Sequence, residues 1–124
     1  MRKQVRLVVL LTIFVLLLST PWSVAQTAVT VAGLLQNPDQ YDAKAISVAG
    51  TIVAYRERVS AKGNPYTTFR LRDRGSDVSV FSWKHPGLKN GIRVRVIGTF
   101  AATKRVGQYT FHNEIEARQI QVLQ

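Results

Sequence analysis

From Tyr66 to Asp73 apolar and polar side chains alternate, Thr67, Phe69 and Leu71 on one side and Thr68, Arg70 and Arg72 on the other. A period of two is the mark of a strand with one buried and one wet face. Asp73-Arg74-Gly75-Ser76 follows. Asp bonds its own downstream backbone and Gly accepts positive φ, so these four residues predict a tight turn. Alternation then resumes, with Val78 and Val80 facing one way and Ser79, Phe81 and Trp83 the other. The two runs form a hairpin that displays arginines and aromatics on its wet face.

The flanking sequence repeats this period. Ala45 to Arg58 sets Ile46, Val48, Gly50, Ile52 and Ala54 against Ser47, Thr51 and Tyr55, and Ser60 to Pro65 reads as a hairpin loop. Lys84 to Gly91 is a second loop, rich in Pro, Gly and Asn, before a strand from Ile92 to Phe100 with Val94, Val96 and Gly98 on one face and Arg93 and Arg95 on the other. Ala101 to Gly107 reads as a third loop, with Lys104 and Arg105 at its tip. A last strand runs from Tyr109 to Val122. Its apolar positions, Tyr109, Phe111, Ile115, Ala117, Ile120 and Val122, change parity near Arg118, which predicts a slip of register there.

The frame V-x-G-T-x-x-A occurs twice, at Val48 to Ala54 and at Val96 to Ala102. Glycine inside a strand marks a bend, a bulge or a close approach, so two strands are expected to bend as a barrel closes. Upstream, Gln26 to Thr30 has no pattern and reads as a disordered lead-in. Thr30 then suits the N-cap of a short helix with Val31, Leu34 and Leu35 on one side, ended by Asn37-Pro38 and followed by a turn through Asp42. Five strands and one short helix make an all-β chain, and a small barrel removes its exposed edges.

This order of parts resembles the OB-fold, the five-stranded Greek-key barrel that binds oligonucleotides and oligosaccharides, and within it the bacterial anticodon-binding-type modules, in an exported single-domain version. The likeness is carried by Val48-Ala49-Gly50-Thr51-Ile52, by Phe69-Arg70-Leu71-Arg72-Asp73 leading to Gly75, by Val78-Ser79-Val80, and by Gly91 with Val94 to Phe100. It spans Ile46 to Val122. Many such barrels place a helix between the third and fourth strands; Lys84 to Asn90 is too short for one, and the resemblance implies that the helix from Val31 to Gln36 caps the barrel instead.

Met1 to Ala25 adds an address. Arg2, Lys3 and Arg6 precede an apolar run from Leu7 to Leu18, and Ser23-Val24-Ala25 offers small residues for cleavage, the layout of a signal peptide. An uncleaved anchor is the alternative, since a span needs about 20 apolar residues. The expected organisation is a signal peptide at 1–25, a lead-in and capping helix at 26–44, and the barrel at 45–124, with a periplasmic or extracellular location. Three of the 17 Lys and Arg lie in that leader; the fourteen that remain, set against seven acidic residues, leave a formal +7. So basic a balance points to an acidic partner: nucleic acid, an anionic glycan or an envelope surface. With no cysteine, neither disulfide nor thiol chemistry is available.

Catalysis is poorly supplied. His85 and His112 have no metal-ligand spacing, Glu114 and Glu116 read as solvated partners of Arg118, Asp73 and Asp77 as turn residues, and no serine has a paired base. The expectation is a binding protein, without enzyme activity, metal or cofactor. The resemblance implies a ligand lying across the second and third strands, clasped by the loops between strands one and two and between strands four and five. Arg56, Arg58 and Lys62 fall on the first loop side, Lys104 and Arg105 on the second, and Arg70 and Arg72 between them. Tyr55, Tyr66, Phe81, Trp83 and Tyr109 are the candidate stacking residues. Single-stranded nucleic acid is the leading partner, with a small anionic ligand, an envelope glycan or a protein as the alternative. Arg70, Arg72, Arg93 and Arg95, which alternate with core residues, also fit a merely solvated sheet face.

Overall fold

Gly50 and Gly98 bend two strands hard enough to close a sheet on itself. A side chain at Gly50 would put its Cβ 2.8 Å from the Arg72 carbonyl oxygen and 2.8 Å from Leu71 Cγ. At Gly98 it would run into the Glu116 carbonyl oxygen and lie 2.9 Å from Ala117 Cα. Only hydrogen fits between backbones this close. In the computed structural model, which describes residues 26–123, both glycines lie in the two strands that share the V-x-G-T frame. The expected signal peptide, Met1 to Ala25, lies outside the described residues.

Six strands form the sheet: β1 (Thr27–Ala28), β2 (Ala45–Val59), β3 (Pro65–Asp73), β4 (Ser76–Trp83), β5 (Arg93–Val106) and β6 (Tyr109–Val122). Two short helices, α1 (Val31–Gln36) and α2 (Pro38–Tyr41), lie between β1 and β2. β2 pairs with β5 along Ala45–Thr51 and with β3 along Thr51–Val59. β3 pairs with β4, and β6 lies between β4 and β5, so β2-β3-β4-β6-β5 returns to β2 as a closed ring. This is the order of the five-stranded OB barrel. Its one parallel seam, β4 with β6, holds only Ser79, Val80 and Phe81 against Glu114, Ile115 and Glu116.

The hairpin from Tyr66 to Trp83 folds as its alternation requires. Thr67, Phe69 and Leu71 face in with Val78 and Val80, and Arg74 (φ 50°) with Gly75 (φ 84°) forms the two-residue turn that suits twisted strands. The parity change in β6 is also where it was expected: Ile97 pairs with Gln119 and Gly98 with Ala117, which leaves Arg118 as the extra residue.

Four expectations are corrected. Gln26 to Thr30 is no free lead-in, since Thr27 and Ala28 pair with Ile46 and Ser47 and the Val29 amide donates to the Ser47 carbonyl at 3.1 Å. Counting this short strand, the sheet has six strands rather than five. Pro38 to Tyr41 is one helical turn with proline in its first turn, where a missing amide costs nothing. Ala101 to Val106 is strand, and the turn is only Gly107-Gln108, so Lys104 and Arg105 ride on β5 and not on a loop tip.

The fourth correction concerns Ala54 and Tyr55. Val53 faces Arg70 and Arg56 faces Thr68, so two residues of β2 oppose Phe69 alone, a bulge with Ala54 at φ 53°. The bulge reverses the expected parity: Ala54 is exposed and Tyr55 turns inward, 6.3 Å from the Phe69 ring. The Tyr55 amide, displaced from the ladder, donates to Asn90 Oδ1 at 2.9 Å. The Tyr55 hydroxyl donates to Glu57 and accepts from the Leu88 amide. The loop after β4 thereby fixes the bulge, and it contains no helix.

The helix that plugs the barrel is α1. Thr30 Oγ1 accepts from the Gly33 amide at 3.0 Å, the N-cap bond expected of it. Val31 and Leu34 are fully buried among Ile46, Val48, Ile52, Leu71, Val80, Val96, Phe100 and Ile115. Burying each of these apolar side chains contributes about 1.5–3 kcal/mol.

Candidate functional site

Past Thr51, β2 pairs only with β3, and past Phe100, β5 pairs only with β6. Two arms therefore run beyond the closed ring: Arg56–Val59 with Pro65–Thr68, backed by β4 through Phe81–Trp83, and the two-stranded ribbon of Ala101–Val106 with Tyr109–Asn113. Asn113, with φ 52°, kinks the base of the second arm. Opposite it the Ala102 amide donates to Asp42 Oδ1 at 2.8 Å instead of to β6.

The space between the arms is a groove over the outer face of β3 and β4. It consists of two hollows of about 320 and 820 Å³ that share Arg58, Thr68, Phe111 and Glu114. The smaller is bounded by Arg56, Arg70 and Ser79. The larger is bounded by Tyr66, Phe81 and Trp83 on one side and by Lys104, Val106, Tyr109 and Glu116 on the other.

Three aromatic rings form its floor. Tyr66 stacks on Phe81 with centroids 5.4 Å apart and planes at 24°, and Trp83 stands edge-on to Phe81 at 4.9 Å and 90°. These separations are those at which the ring quadrupoles attract. The β3–β4 register makes the cluster, because Tyr66 faces Trp83 and Thr68 faces Phe81. Lys104 Nζ lies 4.5 Å from the Phe81 centroid and donates to Glu114 at 2.8 Å. Phe81 is thus enclosed, while Trp83 (52% exposed) and Tyr109 (63% exposed) offer open ring faces.

The charges are less free than their number implies. Arg70 donates to Asp77 Oδ1 through Nε at 3.0 Å and Nη2 at 2.7 Å, and to Ser79 Oγ through Nη1 at 2.9 Å. Arg72 donates to Asp77 Oδ2 at 3.0 Å. The bond from Arg70, then that from Arg72, holds the Asp77 carboxyl below the ordinary carboxylate range. Asp77 is therefore the anchor of both arginines and more than a turn residue. Among the described residues, Arg56 and Arg58 make no ion pair.

Of the sequence-predicted site residues, Arg56, Arg58, Tyr66, Arg70, Phe81, Trp83, Lys104 and Tyr109 come together around the groove. Lys62, Arg72 and Arg105 do not line it, and Tyr55 packs against the core instead. Phe111, Thr68 and Ser79 were missed. Phe111, the next outward position after Tyr109, belongs to the groove and not to the apolar packing surface its type suggests; 43% exposed, it lines both hollows. Glu114 and Glu116 were read as partners of Arg118. Glu114 bonds Lys104 instead, and both carboxylates border the groove. His85 Nε2 meets the Arg58 carbonyl at 2.9 Å, which fixes the loop after β4. No group of side chains suited to a metal is found among the described residues.

No protein-family model and no curated protein matches the chain. Solved structures do. The yeast Stn1 and Ten1 structure matches with a TM-score of 0.63 at 15% identity, over 88% of this chain and 69% of that one. A putative aspartyl-tRNA synthetase from Leishmania major matches with a TM-score of 0.60 at 15% identity, over 85% of this chain but only 22% of the synthetase. A small single-stranded DNA-binding protein from Streptomyces coelicolor matches with a TM-score of 0.51 at 22% identity, over 65% of this chain and 93% of its own. Likeness at such identity is likeness of fold, and with the strand order β2-β3-β4-β6-β5 it makes this chain an OB-fold barrel.

Proposed function

We propose that the chain binds single-stranded nucleic acid in the groove between its two arms, chiefly by stacking. The observation that carries this reading is the Tyr66, Phe81 and Trp83 cluster on the β3–β4 face, with Tyr109 and Phe111 opposite it. Each stacked base is worth about 1–3 kcal/mol whatever its identity. Phosphate attraction adds less here than a formal +7 suggests, because Arg70, Arg72 and Lys104 already have carboxylate partners and only Arg56 and Arg58 line the groove unpaired. The Streptomyces coelicolor structure, a single-stranded DNA-binding protein by description, supports the same ligand class. Export directed by Met1 to Ala25 belongs to this proposal and places the ligand in the cell envelope or outside it.

The test is fluorescence anisotropy of labelled single strands across a salt series. Two unpaired cations predict a slope in log K against log salt of about −1.4, from about −0.7 per phosphate contact. Trp83→Ala is expected to weaken binding by one to two orders of magnitude. Arg58→Ala should reduce the slope by about 0.7, and Arg72→Ala should leave it nearly unchanged. Absence of binding at low salt refutes the reading.

One observation favours a second ligand. Glu114 and Glu116 border the same aromatic hollow, and carboxylates beside ring faces suit the hydroxyls of a glycan. Binding of a neutral oligosaccharide with no salt dependence would select that alternative.

A further inference from the structure

We propose that Glu116 makes the groove selective for cytosine and adenine over thymine and uracil, which carry an oxygen where the first two carry an exocyclic amine. The proposal rests on the nucleic-acid reading above and assigns its base preference. Charge is graded across the groove. Both hollows share Arg58 and Glu114, the smaller adds Arg56 and Arg70 on β2 and β3, and the larger adds Glu116 and Lys104 on β6 and β5, where Lys104 is already tied to Glu114. A strand is thereby oriented, phosphates toward β2 and base edges toward β6, because the reverse would set phosphates against a carboxylate.

The parallel seam fixes where that carboxylate stands. Glu116 pairs with Phe81 and Glu114 with Ser79, so both side chains flank the ring cluster on its outer face. Glu114 is 12% exposed and engaged by Lys104, whereas Glu116 is exposed and makes no ion pair among the described residues. Lys104 covers Phe81, so a base enters against Trp83 or Tyr109, within the hollow that Glu116 borders. An ionised carboxylate only accepts hydrogen bonds. Cytosine presents an N4 amine to it and adenine an N6 amine, whereas thymine and uracil present the O4 oxygen at the corresponding edge, acceptor against acceptor.

The experiment compares oligo-dC, oligo-dA and oligo-dT of equal length by anisotropy with the protein and with its Glu116→Gln variant. Oligo-dC and oligo-dA are each expected to bind at least about fivefold tighter than oligo-dT, the low end of what one base contact discriminates. Glu116→Gln should narrow that ratio, because an amide donates to O4 as readily as it accepts from N4. Glu116→Ala, which removes the group without adding a donor, should narrow it too. Equal binding of oligo-dC and oligo-dT by the unaltered protein, or a ratio unmoved in both variants, overturns the proposal and leaves the nucleic-acid reading standing. Failure of every oligomer to bind removes both.

Discussion

Lys104 holds its ammonium 4.5 Å from the centre of the Phe81 ring, and the same nitrogen bonds Glu114. Three residues from β4, β5 and β6 are tied in this way at the base of the second arm. The pair is better protected than most surface ion pairs, Lys104 being 31% and Glu114 12% exposed.

Lys104→Met keeps the apolar stem and removes the charge, which leaves the Glu114 carboxylate without its partner. The expected loss is about 1–2 kcal/mol in urea denaturation, above the value for an exposed pair. The double variant Lys104→Met/Glu114→Gln should recover part of it. Equal stability of Lys104→Met and the unaltered protein would show that the pair contributes nothing.

Asp77 gives the fold a pH dependence whose sign follows from its pairing. An unfolded aspartate titrates near 3.9, and the bonds from Arg70 and Arg72 lower the native value. The native state therefore binds fewer protons in this range, so the stabilisation is complete above about pH 4 and is lost as pH falls through the lowered native pKa. Urea midpoints measured from pH 6 downward should fall less steeply below about pH 4 in Asp77→Asn than in the unaltered protein. Parallel curves would mean that the Arg70–Asp77–Arg72 bonds are no stronger than solvent contacts.

Gly98→Ala drives a methyl group into the Glu116 carbonyl and Ala117 Cα, both backbone atoms that cannot swing aside. A loss of about 3 kcal/mol or more is expected, at the upper end for overpacking. Gly107, at φ 60° in an open turn with nothing near its Cβ position, is the control. Gly107→Ala should cost about 1 kcal/mol, from backbone strain alone. Thermal unfolding followed by circular dichroism separates the two, and similar losses at both positions would contradict the steric account.

Residues with one wet and one dry face were legible. The inward set Thr67, Phe69, Leu71, Val78 and Val80 is in place, as are the turn at Arg74-Gly75, the slip at Arg118 and the cap at Thr30. Half of the second arm, Tyr109 onward, was legible as strand; the half from Ala101 to Val106 was not, because both faces of a two-stranded ribbon meet solvent and AATKRVG shows no apolar alternation. Nor was the bulge. Alanine at positive φ carries no sequence signal, and what holds Tyr55 in place is Asn90, thirty-five residues on. The pairing of Arg70 and Arg72 with Asp77 was within reach, since a two-residue turn after Asp73 sets Asp77 opposite Arg72. Both aspartates also fit the turn, and that role gives no sign of the pairing. Basic residues can be counted in a sequence, but their neutralisation depends on register.

The three-residue seam between β4 and β6 governs the order in which the molecule can form. Ile115 is fully buried at that seam, between Val80 on one neighbour and Phe100 on the other, yet it belongs to the last of the barrel's strands in sequence order. Without β6, strands β4-β3-β2-β5 make one open four-stranded sheet around an uncovered hydrophobic trough. Closure requires β6, whose pairings with β4 and β5 must form before the core is sealed, so the barrel cannot be completed by its local hairpins alone.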